Sequence, residues 1–182
     1  MIFGWFLRRK KGEGQSRSVI PTVRFDASRV TMAIRGDLWE RIQEFEDLPD
    51  GEEARVFEAA VWAVRRGRDM HHLVTVLSDL GVPKSRASYI THYLLNRANA
   101  LMNVERMLGN GIKEGRWLYS GAPCYWTRNP SSDELDRDAA HRSADRKIFP
   151  LNKGMNLNGA WTFPGLEPGC KCITNAVMPD FD

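Results

Sequence analysis

All three cysteines of this 182-residue chain and one of its four histidines fall in the stretch Gly115–Thr174. The residues are Cys124, His141, Cys170 and Cys172, with aromatics, glycines and prolines between them. Three thiols and one imidazole equal the ligand count of a structural zinc site, in which a tetrahedral ion cross-links loops too short to build a core. Cys170-Lys-Cys172 is the sharpest local feature. In an extended segment, residues i and i+2 point the same way, so both sulfurs can face one ion. A disulfide between them would close a small, strained ring. The spacing is not that of a C-x₂-C finger, and the alternative is packing: Cys124 as a small buried hydrophobe, and His141 hydrogen-bonded on a loop.

An odd number of cysteines does not suit a secreted disulfide scaffold, so the expected compartment is reducing. Net charge is +3, but it is unevenly spread. The first 35 residues hold eight basic residues against Glu13 and Asp26, which leaves the remainder slightly acidic. Met1–Lys11 is an apolar plug containing Phe3, Trp5 and Phe6, followed by the basic cluster Arg8, Arg9, Lys10 and Lys11. The apolar run precedes its charges, the reverse of a signal peptide, and is far short of the roughly 20 residues that span a bilayer. No membrane association is expected. The aromatics are candidates for a partner groove and the cations for the phosphates of double-stranded DNA.

The chain divides into an arm and hinge (1–18), a helical scaffold (19–111) and a small β-rich module (112–182). Val19–Val30 alternates apolar residues and reads as extended. Helical periodicity then covers Asp37–Leu48, Glu52–Arg66 and Asp69–Leu80, with Asp69 as an N-cap and Gly67 and Gly81 as stops. The longest helix starts near Pro83 and runs to Gly109; Ser88, His92, Asn99, Asn103 and Arg106 form its expected wet face. After Gly111 the period changes. Gly115–Gly121 and Lys147–Leu151 read as strands, Pro123–Ala140 as an irregular acidic loop, and His141 as part of the loop that follows. Helices followed by a small β-rich, loop-rich module make the fold class α+β.

From Val82 onward the order of features resembles the phage head-morphogenesis family, the Mu F-like minor head proteins. The resemblance rests on the long helix bearing Val82–Thr91 and Asn96-Arg-Ala-Asn99, the strand Trp117-Leu-Tyr-Ser-Gly121, and Asp138-Ala-Ala-His141. Asp145-Arg-Lys-Ile-Phe149 and Pro164-Gly-Leu-Glu-Pro-Gly-Cys-Lys-Cys172 complete it. Arg146 stands where the family has a glycine, Lys171 where it usually has arginine, and Asn129–Ala140 looks like an insertion. The resemblance implies a virion component assembled in the host cytoplasm and lying inside the capsid or at the portal vertex. Its implied partners are the portal protein, other capsid components and, non-specifically, double-stranded DNA, with roles in procapsid assembly, packaging or ejection. No P-loop, G-x-S-x-G or H-E-x-x-H motif occurs. The alternative is a nuclease or toxin-like effector on the same module. It would use His141 with Asp138 or Asp145 and Arg128 or Arg142, or Cys124 with His141 as a thiol pair.

Overall fold

A computed structural model describes residues 26–178. The arm residues Phe3, Trp5, Phe6, Arg8, Arg9, Lys10 and Lys11 lie outside them, as do residues 19–25. Ala27–Arg29, expected to be extended, is a short 3₁₀ turn, because the Asp26 carboxylate accepts from the Ser28 N–H at 2.9 Å and caps it.

Four helices follow: α1 (Met32–Gln43), α2 (Glu53–Arg65), α3 (Met70–Asp79) and α4 (Lys84–Gly109). α1 starts five residues before the expected Asp37, because Thr31 caps it by accepting from the Ile34 N–H. A cap fixes an end more firmly than one interior glycine breaks a helix, and nothing crowds Gly36. Asp69 caps α3 as its sequence suggests, and Pro83 stands at the start of α4. Ile34, Leu38, Val56, Ala60, Leu73, Leu77, Ile90 and Leu94 bury their side chains between these helices. Each large aliphatic residue so buried contributes about 1.5–3 kcal/mol. The Asp37 carboxylate receives both Nε and Nη2 of Arg97 at 2.7 and 2.6 Å, locking α1 to α4.

The chain then forms β1 (Glu114–Leu118), α5 (Ser132–Ser143), β2 (Ile148–Pro150), β3 (Met155–Leu157), β4 (Ala160–Thr162) and β5 (Ile173–Val177). β1 lies between β2 and β5, antiparallel to both, and β3–β4 is a hairpin closed by Asn158-Gly159. Both turn residues take positive φ (50° and 89°), the backbone that an Asn-Gly pair favours in two-residue hairpins. Gly115 faces inward in β1, where a Cβ would meet Thr174 and Leu151 at under 3 Å. Trp117, Phe149, Leu151, Val104 and Met107 make a second core beneath this sheet. The α+β arrangement is therefore a helical half and a β-rich half joined by α4.

Three further expectations are corrected here. Pro123–Ala140 is not wholly irregular, and His141 is not in a loop. Both feed α5, which is nucleated by a capping box in which Ser131 accepts from the Glu134 N–H and Glu134 accepts from the Ser131 N–H. Nor is the outer face of α4 simply wet. Asn103 Nδ2 donates to the Thr174 carbonyl at 3.2 Å, Asn96 Nδ2 approaches the Cys170 carbonyl at 3.4 Å, and His92 packs on Trp126. Amides on that face pair with backbone carbonyls of the β-rich half instead of with water.

Candidate metal centre

Three separate pieces of chain bring the three cysteines and the histidine together. Cys124 lies in the loop after β1, His141 in the last turn of α5, and Cys170 and Cys172 in the turn entering β5. All four are 4% exposed or less, and their donor atoms lie within 4.8 Å of one another. Cys124 Sγ is 3.6 Å from Cys172 Sγ and 3.9 Å from Cys170 Sγ. His141 Nδ1 is 3.4 Å from Cys170 Sγ and 3.9 Å from Cys172 Sγ. A tetrahedron with Zn–S of about 2.3 Å and Zn–N of about 2.0–2.1 Å has S···S edges of about 3.8 Å and S···N edges of about 3.6 Å. The cluster can thus hold a metal ion. All three cysteines are free.

The surroundings hold each donor in place. His141 Nε2, pointing away from the sulfurs, lies 3.2 Å from a Glu167 carboxylate oxygen, and Arg137 Nε is 3.7 Å from the same oxygen. A carboxylate behind a ligating imidazole fixes the ring's orientation and makes the other nitrogen a better donor. The buried Asp138 carboxylate accepts from the Cys124 N–H at 2.7 Å, from the Tyr119 hydroxyl at 2.8 Å and from Arg142 Nη2 at 3.0 Å. The Gly165 N–H donates to Cys170 Sγ at 3.3 Å. Lys171, between the paired cysteines, turns the other way and donates to the carbonyls of Pro123 and Tyr125. Gly169 takes φ +74°, and a Cβ there would sit 2.8 Å from Tyr125 Cα, so only glycine lets the two ligand loops touch.

Charge within the cluster is divided. Hydrogen bonds from Cys170 and Cys172 push the Cys124 thiol well below its usual range. The contact with Cys124 pushes Cys170 up, helped by Cys172 and burial. For His141, burial opposes the charged form, but Cys124, Cys172 and Glu167 outweigh it and raise the imidazole to about 11. Burial raises Glu167 while His141 lowers it, and the net direction is down. These shifts favour negative charge on Cys124 and positive charge on His141. Binding a divalent cation needs deprotonated thiols and a neutral imidazole, so it would release protons.

The four predicted ligands converge. Of the residues weighed for catalysis, Asp138 holds the Cys124 backbone and Asp145 accepts from the Tyr119 N–H at 2.9 Å. Arg142 pairs with Asp138, and Arg128 has no part in the cluster. Sequence reasoning missed Glu167 and Arg137; the i, i+4 spacing of Arg137 and His141 on one helix was the available signal.

Arg146 has φ +63°, the left-handed backbone a glycine adopts freely, so the turn between α5 and β2 keeps a glycine-like shape with arginine in it. Its N–H donates to the Trp117 carbonyl at 2.7 Å, which anchors α5 to β1. Among the described residues, no helix is long and apolar enough to cross a membrane. No protein-family model matches the chain, and no curated protein or solved structure matches it significantly.

Proposed function

We infer that the protein is a structural minor head protein of a tailed phage or prophage, with one zinc ion clamping its β-rich half. The observation that carries the reading is the closure of the Cys124, His141, Cys170 and Cys172 cluster. Structural zinc sites take four protein donors and leave no place for substrate, whereas catalytic ones keep a position open. Three thiolates and an imidazole suit zinc over the harder cations.

The virion role rests on the ordered motifs that resemble Mu F-like minor head proteins. In its favour, Trp117, His141, Phe149 and the Cys170–Cys172 pair share one small unit. In this reading, Phe3, Trp5 and Phe6 seat in a groove of the portal, and Arg8, Arg9, Lys10 and Lys11 grip double-stranded DNA without sequence preference. The protein is built into the procapsid in the host cytoplasm and stays near the portal vertex, where it serves packaging or ejection. The effector alternative is less well supported, because His141 has one ring nitrogen on sulfur and the other on Glu167.

The test has two arms. Protein made under reducing conditions should carry about one zinc per chain, and purified particles should contain the full-length protein. A variant lacking Met1–Lys11 should keep its metal and fold yet be missing from particles. Absence of the intact protein from particles would overturn the virion reading. Nucleic-acid turnover abolished by His141→Ala would restore the enzyme.

A further inference from the structure

Helix α2 has two faces of opposite character. Val56, Ala60, Ala63 and Val64 are buried in the helical core. On the opposite side, Arg55, Glu58, Trp62, Arg65 and Arg66 recur at three- and four-residue spacing and share one outer stripe. Trp62 is the anomaly on this stripe, since large aromatics more often go inward. Its ring is 37% exposed. The Arg66 guanidinium lies 4.7 Å from the ring centroid, and the His72 ring of α3 packs at 4.0 Å. The indole therefore serves as a platform that steadies a cation.

These side chains wall a groove of about 580 Å³, to which α1 adds Arg35. Among the described residues, the wall holds four guanidinium groups and a single carboxylate, that of Glu58. Glu58 is 70% exposed at its side chain and 3.6 Å from Arg35, and the acid paired with Arg55 is Glu52 at 3.8 Å. Neither is a tight pair. Like charges gathered on one helix face weaken it by a few tenths of a kcal/mol per pair. A polyanion lying in the groove relieves that repulsion.

We propose that this groove binds the phosphodiester backbone of nucleic acid without regard to sequence. Guanidinium forks match phosphate oxygens two at a time. The four guanidinium groups favour a polyanion, while Ala59, Val61 and Val76 add apolar lining; an acidic protein segment is the competing occupant that the experiment below separates. The site is built from the helical half alone and does not depend on the metal centre.

The experiment measures fluorescence anisotropy of labelled 30-base-pair duplex DNA with the full-length protein over a range of salt concentrations. Each phosphate contact contributes about −0.9 to the slope of log K against log salt on duplex, and about −0.7 on a single strand. Arg55→Gln with Arg65→Gln, both exposed positions, should cut the slope by about 2 on two unrelated duplexes and by about 1.4 on a single strand. Arg55→Lys with Arg65→Lys should retain it, which excludes a folding defect. Replacing Arg8, Arg9, Lys10 and Lys11 with glutamine should lower the slope further and additively. An unchanged slope in the Arg55/Arg65 glutamine variant overturns the proposal, as does wild-type protein that binds no DNA. Displacement of the DNA by poly-glutamate at a tenth of the competing unlabelled DNA concentration reassigns the groove to an acidic protein. Metal content, measured on the same samples, decides the zinc reading separately.

Discussion

Replacing Cys170 by serine tests the metal centre most directly. The substitution removes the donor 3.4 Å from His141 Nδ1 and 3.9 Å from Cys124 Sγ. It substitutes a hydroxyl that does not ionise at neutral pH and sits on a shorter bond. Where free zinc exceeds the dissociation constant a thousandfold, binding contributes about 4.1 kcal/mol to folding, and the variant forfeits it. The buried Gly165 N–H also loses its sulfur acceptor, which costs about 1 kcal/mol more. A total of about 5 kcal/mol, at about 2–4 °C per kcal/mol for a chain of this size, lowers the melting temperature by about 10–20 °C. Thermal melts by circular dichroism, with metal content measured on the same samples, provide the assay. A chelator should bring wild-type protein most of the way down to the variant and leave the variant where it is. A variant that keeps a full zinc equivalent and melts within a degree or two of wild type would refute the reasoning. So would wild-type protein indifferent to the chelator.

Four further outcomes are expected. Glu167→Gln should weaken zinc binding about 10–100-fold in a chelator competition without abolishing one-to-one loading, since the residue orients His141 and is not a ligand. Burial and the bond to Asp138 raise the Tyr119 hydroxyl from its usual 10 to about 12. Its stabilising effect is therefore present below pH 10 and lost as pH rises through 12. In urea titrations the advantage of wild type over Tyr119→Phe should shrink across that window. Gly169→Ala should cost about 2 kcal/mol and reduce zinc affinity, because its Cβ would collide with Tyr125 at a positive φ. Arg146→Gly should do the opposite, raising the melting temperature by a few degrees as the left-handed backbone loses its side-chain penalty of about 1–2 kcal/mol.

How much of this was legible in the sequence follows from the range of the forces involved. α2, α3 and α4 declare themselves through apolar spacing and local stops, since helix periodicity and capping act within a few residues. The ligand set was legible from residue type alone, as all three thiols crowd into one stretch with one histidine. α5 was not, because Ser132–Ser143 buries only Asp138 and His141 and shows no apolar stripe. Its signal was the Ser131/Glu134 capping box, four residues that an acidic run conceals. The covered face of α4 was hidden for a related reason. Asn96 and Asn103 look like solvent-facing polarity until a carbonyl from more than 70 positions away arrives. Glu167 sits among prolines and glycines and reads as turn filler; only the fold brings it to His141.

Helix α4 belongs to both halves. Ala87 through Met102 pack into the helical core, while Val104 and Met107 pack beneath the β sheet. One rod is thus anchored at its front by aliphatic contacts and at its rear by a module whose own integrity depends on sulfur and imidazole. With zinc bound there as proposed, stripping it would unmoor only the rear, so the rod should fray from Gly109 backward while its front turns stay put. In that reading metal supply sets how far along a single helix order extends.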